Sequence, residues 1–265
     1  MVMQTFFHRL LVRPGPAEPP SRVPDGQVIY AIGDLHGRAD LLDRAAAAIG
    51  ADAARTPRLA PLTVFLGDYV DRGPGSAAIV ERLASGAFPT PIVALKGNHE
   101  AVLLAALEDD ATLVRWCGFG GLETLFSYGC DVRPVQLGRD LAATRAAFAA
   151  ALPEAHRAWM AGLPLHFTAG DYFFCHAGIR PGVPLHAQAE QDLLWIRDDF
   201  LTSQARHERV IVHGHTPVMA ADLQPYRINI DTGAFGTGRL TCLRLEGADR
   251  RVMALTMGGR APQAR

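Results

Sequence analysis

The stretch Thr63-Val64-Phe65-Leu66-Gly67-Asp68-Tyr69-Val70-Asp71-Arg72-Gly73 sets the reading of the whole chain. A short β-branched and apolar run stops at a glycine and gives way to a polar, acid-rich turn, the pattern of a buried strand ending in a loop. Ser76 to Leu83 then reads as helix. The same unit recurs outward. VIYAI precedes Gly33 and a helical stretch from Ala39 to Ile49, and PIVAL precedes Gly97 and a helical stretch from Glu100 to Leu107. YFF before Cys175, VIV before His213 and INI before Asp231 continue the series, with a further helix from Leu141 to Ala151. Strands alternating with helices predict an α/β fold whose early strands lie in a largely parallel sheet. The later, closely spaced RINIDTG, RLTCLRLE and RVMALTM read as antiparallel hairpin strands.

Composition narrows the function classes. A chain of 265 residues that is 49% hydrophobic and 20% charged is not intrinsically disordered over most of its length. It is long enough to bury a sizeable core without staples. Lys plus Arg number 26 against 27 Asp plus Glu, a net charge of −1 that supplies no global field for a nucleic acid polymer or an anionic membrane. Any anionic substrate must therefore be held by a local site. Cys117, Cys130, Cys175 and Cys242 are far apart and form no zinc-ligand spacing, so they read as buried free thiols in a reducing compartment. The N-terminal MVMQTFFHRLLVR is too short for a signal h-region, and no run is long enough for a membrane span. These features predict a cytoplasmic protein with no membrane span.

The predicted strands end in metal-ligating residue types, and the carboxyl ends of the strands are where open α/β sheets place their ligands. The ends are Gly33-Asp34-Leu35-His36-Gly37, Gly67-Asp68-Tyr69-Val70-Asp71-Arg72-Gly73, Gly97-Asn98-His99-Glu100, Cys175-His176-Ala177-Gly178 and His213-Gly214-His215-Thr216. One Asp-x-His pair caps helices in many proteins; five such ends in order point to a shared site. Carboxylate, imidazole and amide oxygen together suit Mn²⁺, Fe²⁺ or Zn²⁺, and the absence of cysteine ligands points to an open, catalytic centre.

In order and spacing, GDLHG, GDYVDRG, GNHE, HAG and HGHT resemble the signature blocks of the calcineurin-like metallophosphoesterases, in particular the compact bacterial and phage-type phosphoprotein phosphatases, from about Val28 to Leu245. The resemblance implies a four-layer α/β/β/α sandwich with a mixed central sheet. It implies that Asp34 and His36 bind one metal, that Asp68 bridges two, and that Asn98, His176 and His215 bind the second. Two divalent ions, Mn foremost with Fe or Zn as alternatives, would turn a shared water into a metal-bound hydroxide nucleophile. In the family His99 corresponds to the general acid, oriented by Asp71; Arg72 and Arg197 match the arginines that grip phosphoryl oxygens, with Asn98 beside them. Arg180 and Arg206 are rivals for the Arg197 role.

Two comparisons bear on substrate. Pro217 stands where wider metallophosphoesterases often place a last histidine, as in the phosphoprotein phosphatase branch. In symmetrical diadenosine tetraphosphatases a small residue replaces the aspartate of Asp-Arg-Gly and Asp follows Asn-His, whereas this chain has Asp71 and Glu100. The resulting expectation is a Ser/Thr protein phosphatase acting on phosphoproteins or phosphopeptides as a monomer; the alternative is a dinucleoside polyphosphate hydrolase of the diadenosine tetraphosphate type. The expected division is an N-terminal extension and Pro-rich tether over 1–26, a catalytic domain over 27–258 and a flexible tail over 259–265. The segment Trp116-Cys117-Gly118-Phe119-Gly120-Gly121 reads equally as cleft lining or as tight backbone packing.

Overall fold

The computed structural model describes residues 20–257. Residues 1–19 of the predicted tether and the tail over 259–265 lie outside the described residues. Two five-stranded mixed sheets form the centre. The first has the order β10-β9-β1-β2-β3, built from β1 (Gln27–Ile32), β2 (Ala60–Phe65), β3 (Ile92–Ala94), β9 (Arg239–Glu246) and β10 (Asp249–Thr256). The second has the order β4-β5-β6-β8-β7, from β4 (His166–Ala169), β5 (Tyr172–Cys175), β6 (Val210–His213), β7 (Asp222–Leu223) and β8 (Arg227–Asn229).

β1, β2 and β3 are parallel, as the alternating pattern predicts, and β9 and β10 form the expected antiparallel hairpin beside β1. RINIDTG departs from the expectation. Its strand, β8, pairs in parallel with β6 and antiparallel only with the two-residue β7. Short spacing suggested a hairpin, but β8 buries Ile228 on the sheet interior, and that face is satisfied by β6.

Alternation along the strands places the layers. In β1, Val28, Tyr30 and Ile32 face a core shared with the helices, while Ile29 and Ala31 face the second sheet. In β5, Tyr172 and Phe174 face the first sheet, while Phe173 and Cys175 pack against Ile196 and Phe200 outside it. Both faces of each sheet are therefore buried, which produces the α/β/β/α order. Helices α1 (Ala39–Arg55), α2 (Ser76–Ala84), α3 (Asn98–Ala106), α4 (Asp110–Trp116) and α5 (Leu122–Ser127) belong to the first sheet's side. Val23, within the predicted tether, is buried between the sheets and donates its N–H to Gly247. All four cysteines are buried and free.

Candidate functional site

The five acid- and histidine-bearing strand ends meet at one edge of the sandwich, three from the first sheet and two from the second. Their backbones are tied together: the Asp68 carbonyl accepts the N–H groups of Leu35 and His36, and the His176 carbonyl accepts the N–H of Gly214. Gly37 takes a φ of 66°, and a side chain there would overlap the backbone of Gly73, so the first two loops touch at a glycine-only contact. His36, Asp68, Asp71, Arg72 and His215 all have φ between 42° and 73°; among the described residues Asp140 is the one other non-glycine with positive φ. Left-handed backbone costs a non-glycine residue roughly 1–2 kcal/mol, and its concentration here marks loops shaped to aim side chains.

Glu100 holds this arrangement in place, a residue that sequence reasoning used only to compare families. It is fully buried, and its carboxylate accepts the N–H groups of Gly97, Asp68, Tyr69 and Val70 at 2.8–3.2 Å. Burial, with the charge of Asp68 beside it, pushes its carboxyl up to about 7.

Two donor clusters share Asp68. His36, Asp68 and His99 form one and Asp68, His176 and His215 the other, each with ligand-capable atoms within 4.8 Å of one another. In the second cluster, His176 Nδ1 donates to the Leu66 carbonyl, leaving Nε2 as a lone pair facing Asn98 Oδ1 at 2.8 Å, His215 Nδ1 at 3.1 Å and Asp68 Oδ2 at 3.4 Å. His215 Nδ1 lies 2.9 Å from the same Asn98 oxygen. Lone pairs converging at such distances in a buried site repel, and a cation among them removes the repulsion. Burial holds His36 down at about 3 and His215 at about 2, and lowers His176, so the imidazoles are neutral as metal ligands require. Burial opposes ionisation of Asp68, but His176, His99 and His36 together keep its carboxyl well below the usual range.

Asp34 accepts the backbone N–H of His215 at 3.1 Å through Oδ2, and its buried Oδ1 has no hydrogen-bond partner. Burial and the charges of Asp231 and Asp68 push its carboxyl well above the usual range. Among the described residues neither donor cluster includes Asp34, although its orphaned oxygen and excess of nearby acid fit a cation. Asp231, absent from the sequence-based residue set, is also pushed up by burial, to about 6. This donor set, with carboxylate, imidazole and amide oxygens and no thiolate, fits divalent metals.

His99, a member of the first donor cluster, is also held by partners outside it. Nδ1 is 2.6 Å from Asp71 Oδ2, and Nε2 is 3.1 Å from Arg72 Nη2. Arg72 Nη1 lies 2.9 Å from His36 Nε2, and the guanidinium sits over the Phe235 ring at 4.9 Å. Although burial opposes it, the charges of Asp68 and Asp71 raise the His99 imidazole above its ordinary value. Arg197 reaches Thr216 Oγ1 at 3.3 Å, next to His215, and borders a cavity of about 300 Å³ with Trp195 and Asp192. Arg180 is instead paired with Asp192 and Asp199, and Arg206 lies over Tyr226. Of the three arginines, Arg197 is the one whose charge adds to burial in lowering both His176 and His215.

The sequence profile of the calcineurin-like phosphoesterases matches residues 28–233. The chain belongs to this family. The family is one of phosphoesterases. Two symmetrical bis(5'-nucleosyl)-tetraphosphatases, from Acidovorax sp. strain JS42 and Acidovorax ebreus strain TPSY, are 38% identical over 79 residues and 39% over 80. Each alignment spans 29% of this chain and 25% of the relative, so only about a quarter of those proteins is matched. A solved structure of a candidate diadenosine tetraphosphatase covers 91% of this chain and 100% of its own, with a TM-score of 0.60 at 19% identity. A cold-active protein tyrosine phosphatase covers 89% and 81%, with a TM-score of 0.56 at 15% identity. These likenesses establish the shared fold. Among the described residues no helix is long and apolar enough to cross a membrane.

Proposed function

We propose that this phosphoesterase hydrolyses phosphomonoesters of seryl and threonyl side chains in proteins or peptides. The observation that carries this reading is the Asp71–His99 contact of 2.6 Å in a buried site. An alkoxide is a strongly basic leaving group and needs a proton as its bond to phosphorus breaks, whereas a nucleotide leaves from an anhydride without one. A histidine with its Nδ1 held by a carboxylate is built to donate that proton.

When bound, a pair of divalent cations supplies an acidified water as nucleophile and charge stabilisation at the phosphoryl group. Asp34, His36, Asp68, Asn98, His176 and His215 would hold them, with Mn the foremost choice and Fe or Zn chemically compatible. Arg72 and Arg197 bind the phosphoryl oxygens with their planar guanidinium groups and stabilise the charge spread over them in the transition state. Once Arg72 turns from His99 Nε2 to the phosphoryl oxygens, a protonated His99 would give its Nε2 proton to the departing oxygen while Asp71 keeps the ring in place. Attack would be in line, with no phosphoenzyme: Cys175, beside His176, is a fully buried thiol that burial pushes up and keeps protonated.

The second reading, a dinucleoside polyphosphate hydrolase, is supported by the local identity to the symmetrical tetraphosphatases. One assay separates them: Mn²⁺-reconstituted protein on a phosphoseryl peptide, p-nitrophenyl phosphate and diadenosine tetraphosphate at equal concentrations. Faster peptide turnover is expected; a dominant tetraphosphate activity would move the protein to the second class.

A further inference from the structure

The segment from Trp116 to Thr124 lies outside both sheets and supplies none of the proposed metal ligands, yet it contacts both carboxylate oxygens and the N–H of Asp71. Trp116 is fully buried and donates its indole N–H to Asp71 Oδ2 at 2.8 Å, the same oxygen that His99 Nδ1 approaches at 2.6 Å. The Thr124 hydroxyl, also fully buried, donates to Asp71 Oδ1 at 2.6 Å and accepts the Asp71 N–H at 2.8 Å. Ser76 Oγ accepts the same N–H at 3.0 Å. The next residue is held by the same segment: the Gly120 carbonyl accepts the Arg72 N–H at 3.0 Å.

This convergence has a structural reason. Asp71 and Arg72 are consecutive non-glycine residues with φ of 73° and 67°, a backbone that persists only where its surroundings over-determine it. Gly120, with φ of 110°, lets the segment approach so closely that a side chain there would overlap Arg72, and a side chain on Gly121 would overlap the Trp116 indole. A buried indole N–H needs an acceptor, and a buried carboxylate needs donors; here each satisfies the other. Packing alone would be served as well by phenylalanine and valine.

We infer that Trp116 and Thr124 are positioning residues that aim the Asp71 carboxylate at His99, so that proton delivery to the leaving oxygen depends on a segment remote in sequence from every metal ligand. This rests on His99 being the general acid. Its signature is leaving-group dependence. Losing the alignment must slow esters of basic alkoxides and spare p-nitrophenyl phosphate, whose phenolate departs without help.

The test compares Mn²⁺-reconstituted wild type, Trp116→Phe, Thr124→Val, Thr124→Ser and His99→Asn on a phosphoseryl peptide and on p-nitrophenyl phosphate, with metal content and circular dichroism checked for each. Trp116→Phe and Thr124→Val are expected to lower kcat on the peptide by about tenfold or more and on p-nitrophenyl phosphate by less than about threefold, with metal content unchanged and Thr124→Ser restoring peptide turnover. If Trp116→Phe fails to fold, the Thr124 pair carries the comparison. Equal losses on both substrates in the Trp116 and Thr124 variants, while His99→Asn separates the substrates, would overturn the inference alone. Equal losses in His99→Asn would overturn the general-acid reading and the inference with it.

Discussion

Asp68 and His99 sit within 4 Å of each other, at 3.9 Å, and yet should fail differently when altered. Asp68 Oδ2 belongs to both donor clusters, so Asp68→Asn is expected to lose both metals and nearly all activity. His99 is occupied by Asp71 and Arg72, so His99→Asn is expected to keep its metal while kcat on alkyl phosphates falls about 10²–10⁴-fold. Elemental analysis beside steady-state kinetics checks both, and equal metal loss would refute the division of roles. Arg197→Ala should lower kcat/KM by roughly 10²-fold without metal loss, because on the proposed reading its guanidinium binds the phosphoryl group and touches no metal ligand. Glu100→Gln replaces an acceptor of four backbone N–H groups by an amide that must turn an NH₂ toward two of them. A stability loss of about 2–5 kcal/mol in chemical denaturation is expected.

At the scale of elements, the strand ends would drift unless the strands behind them were fixed in register. One device for this is a buried network at the far side of β1: Asp52 on α1 accepts from Tyr30 on β1 at 2.7 Å, Arg244 on β9 at 2.6 Å and Arg251 on β10 at 3.0 Å. Burial opposes ionisation of Asp52, but the Tyr30 hydroxyl and Arg244 outweigh it and hold the carboxyl below its ordinary value. A folded value below the unfolded one means that this stability is fully present above about pH 4 and is lost as pH falls through the folded value. Asp52→Asn leaves Arg244 with Glu246 as its one remaining carboxylate partner and weakens three buried hydrogen bonds, and is expected to cost about 1–3 kcal/mol. It should also flatten the acid limb of a stability profile below pH 4; an unchanged limb would show that other carboxylates govern it.

For the whole molecule, the site exists only because two sheets are clamped face to face, with Ile29, Val64 and Leu66 of one against Phe174, Val212 and Ile230 of the other. Cations bridging ligands from both sheets must therefore stabilise the folded chain. At a free Mn²⁺ concentration of 100 times Kd the expected gain is about 2.7 kcal/mol, or about 5–10 °C in Tm, lost on adding a chelator. A melting temperature indifferent to chelation would mean that the donor clusters hold no tightly bound metal.

The amino-acid sequence by itself determined the strand–turn–helix order, the five strand ends that carry metal-ligating residue types and the family they belong to, because these are local patterns written in contiguous residues. The hairpin assigned to RINIDTG was misread for a related reason: pairing partners are chosen by buried faces distant in the chain, and β6 supplied the better one. Thr124 is illegible as part of the site, Glu100 is legible only in comparing families, and Trp116 lies in a segment that reads equally as cleft lining or as packing. Each acts through a hydrogen bond to a residue of another loop, spanning 30 to 53 positions. Nothing in local composition distinguishes a tryptophan that holds a carboxylate from one that only fills a core; the tertiary structure decides it, because only folding brings the indole N–H and the Asp71 oxygen together away from water.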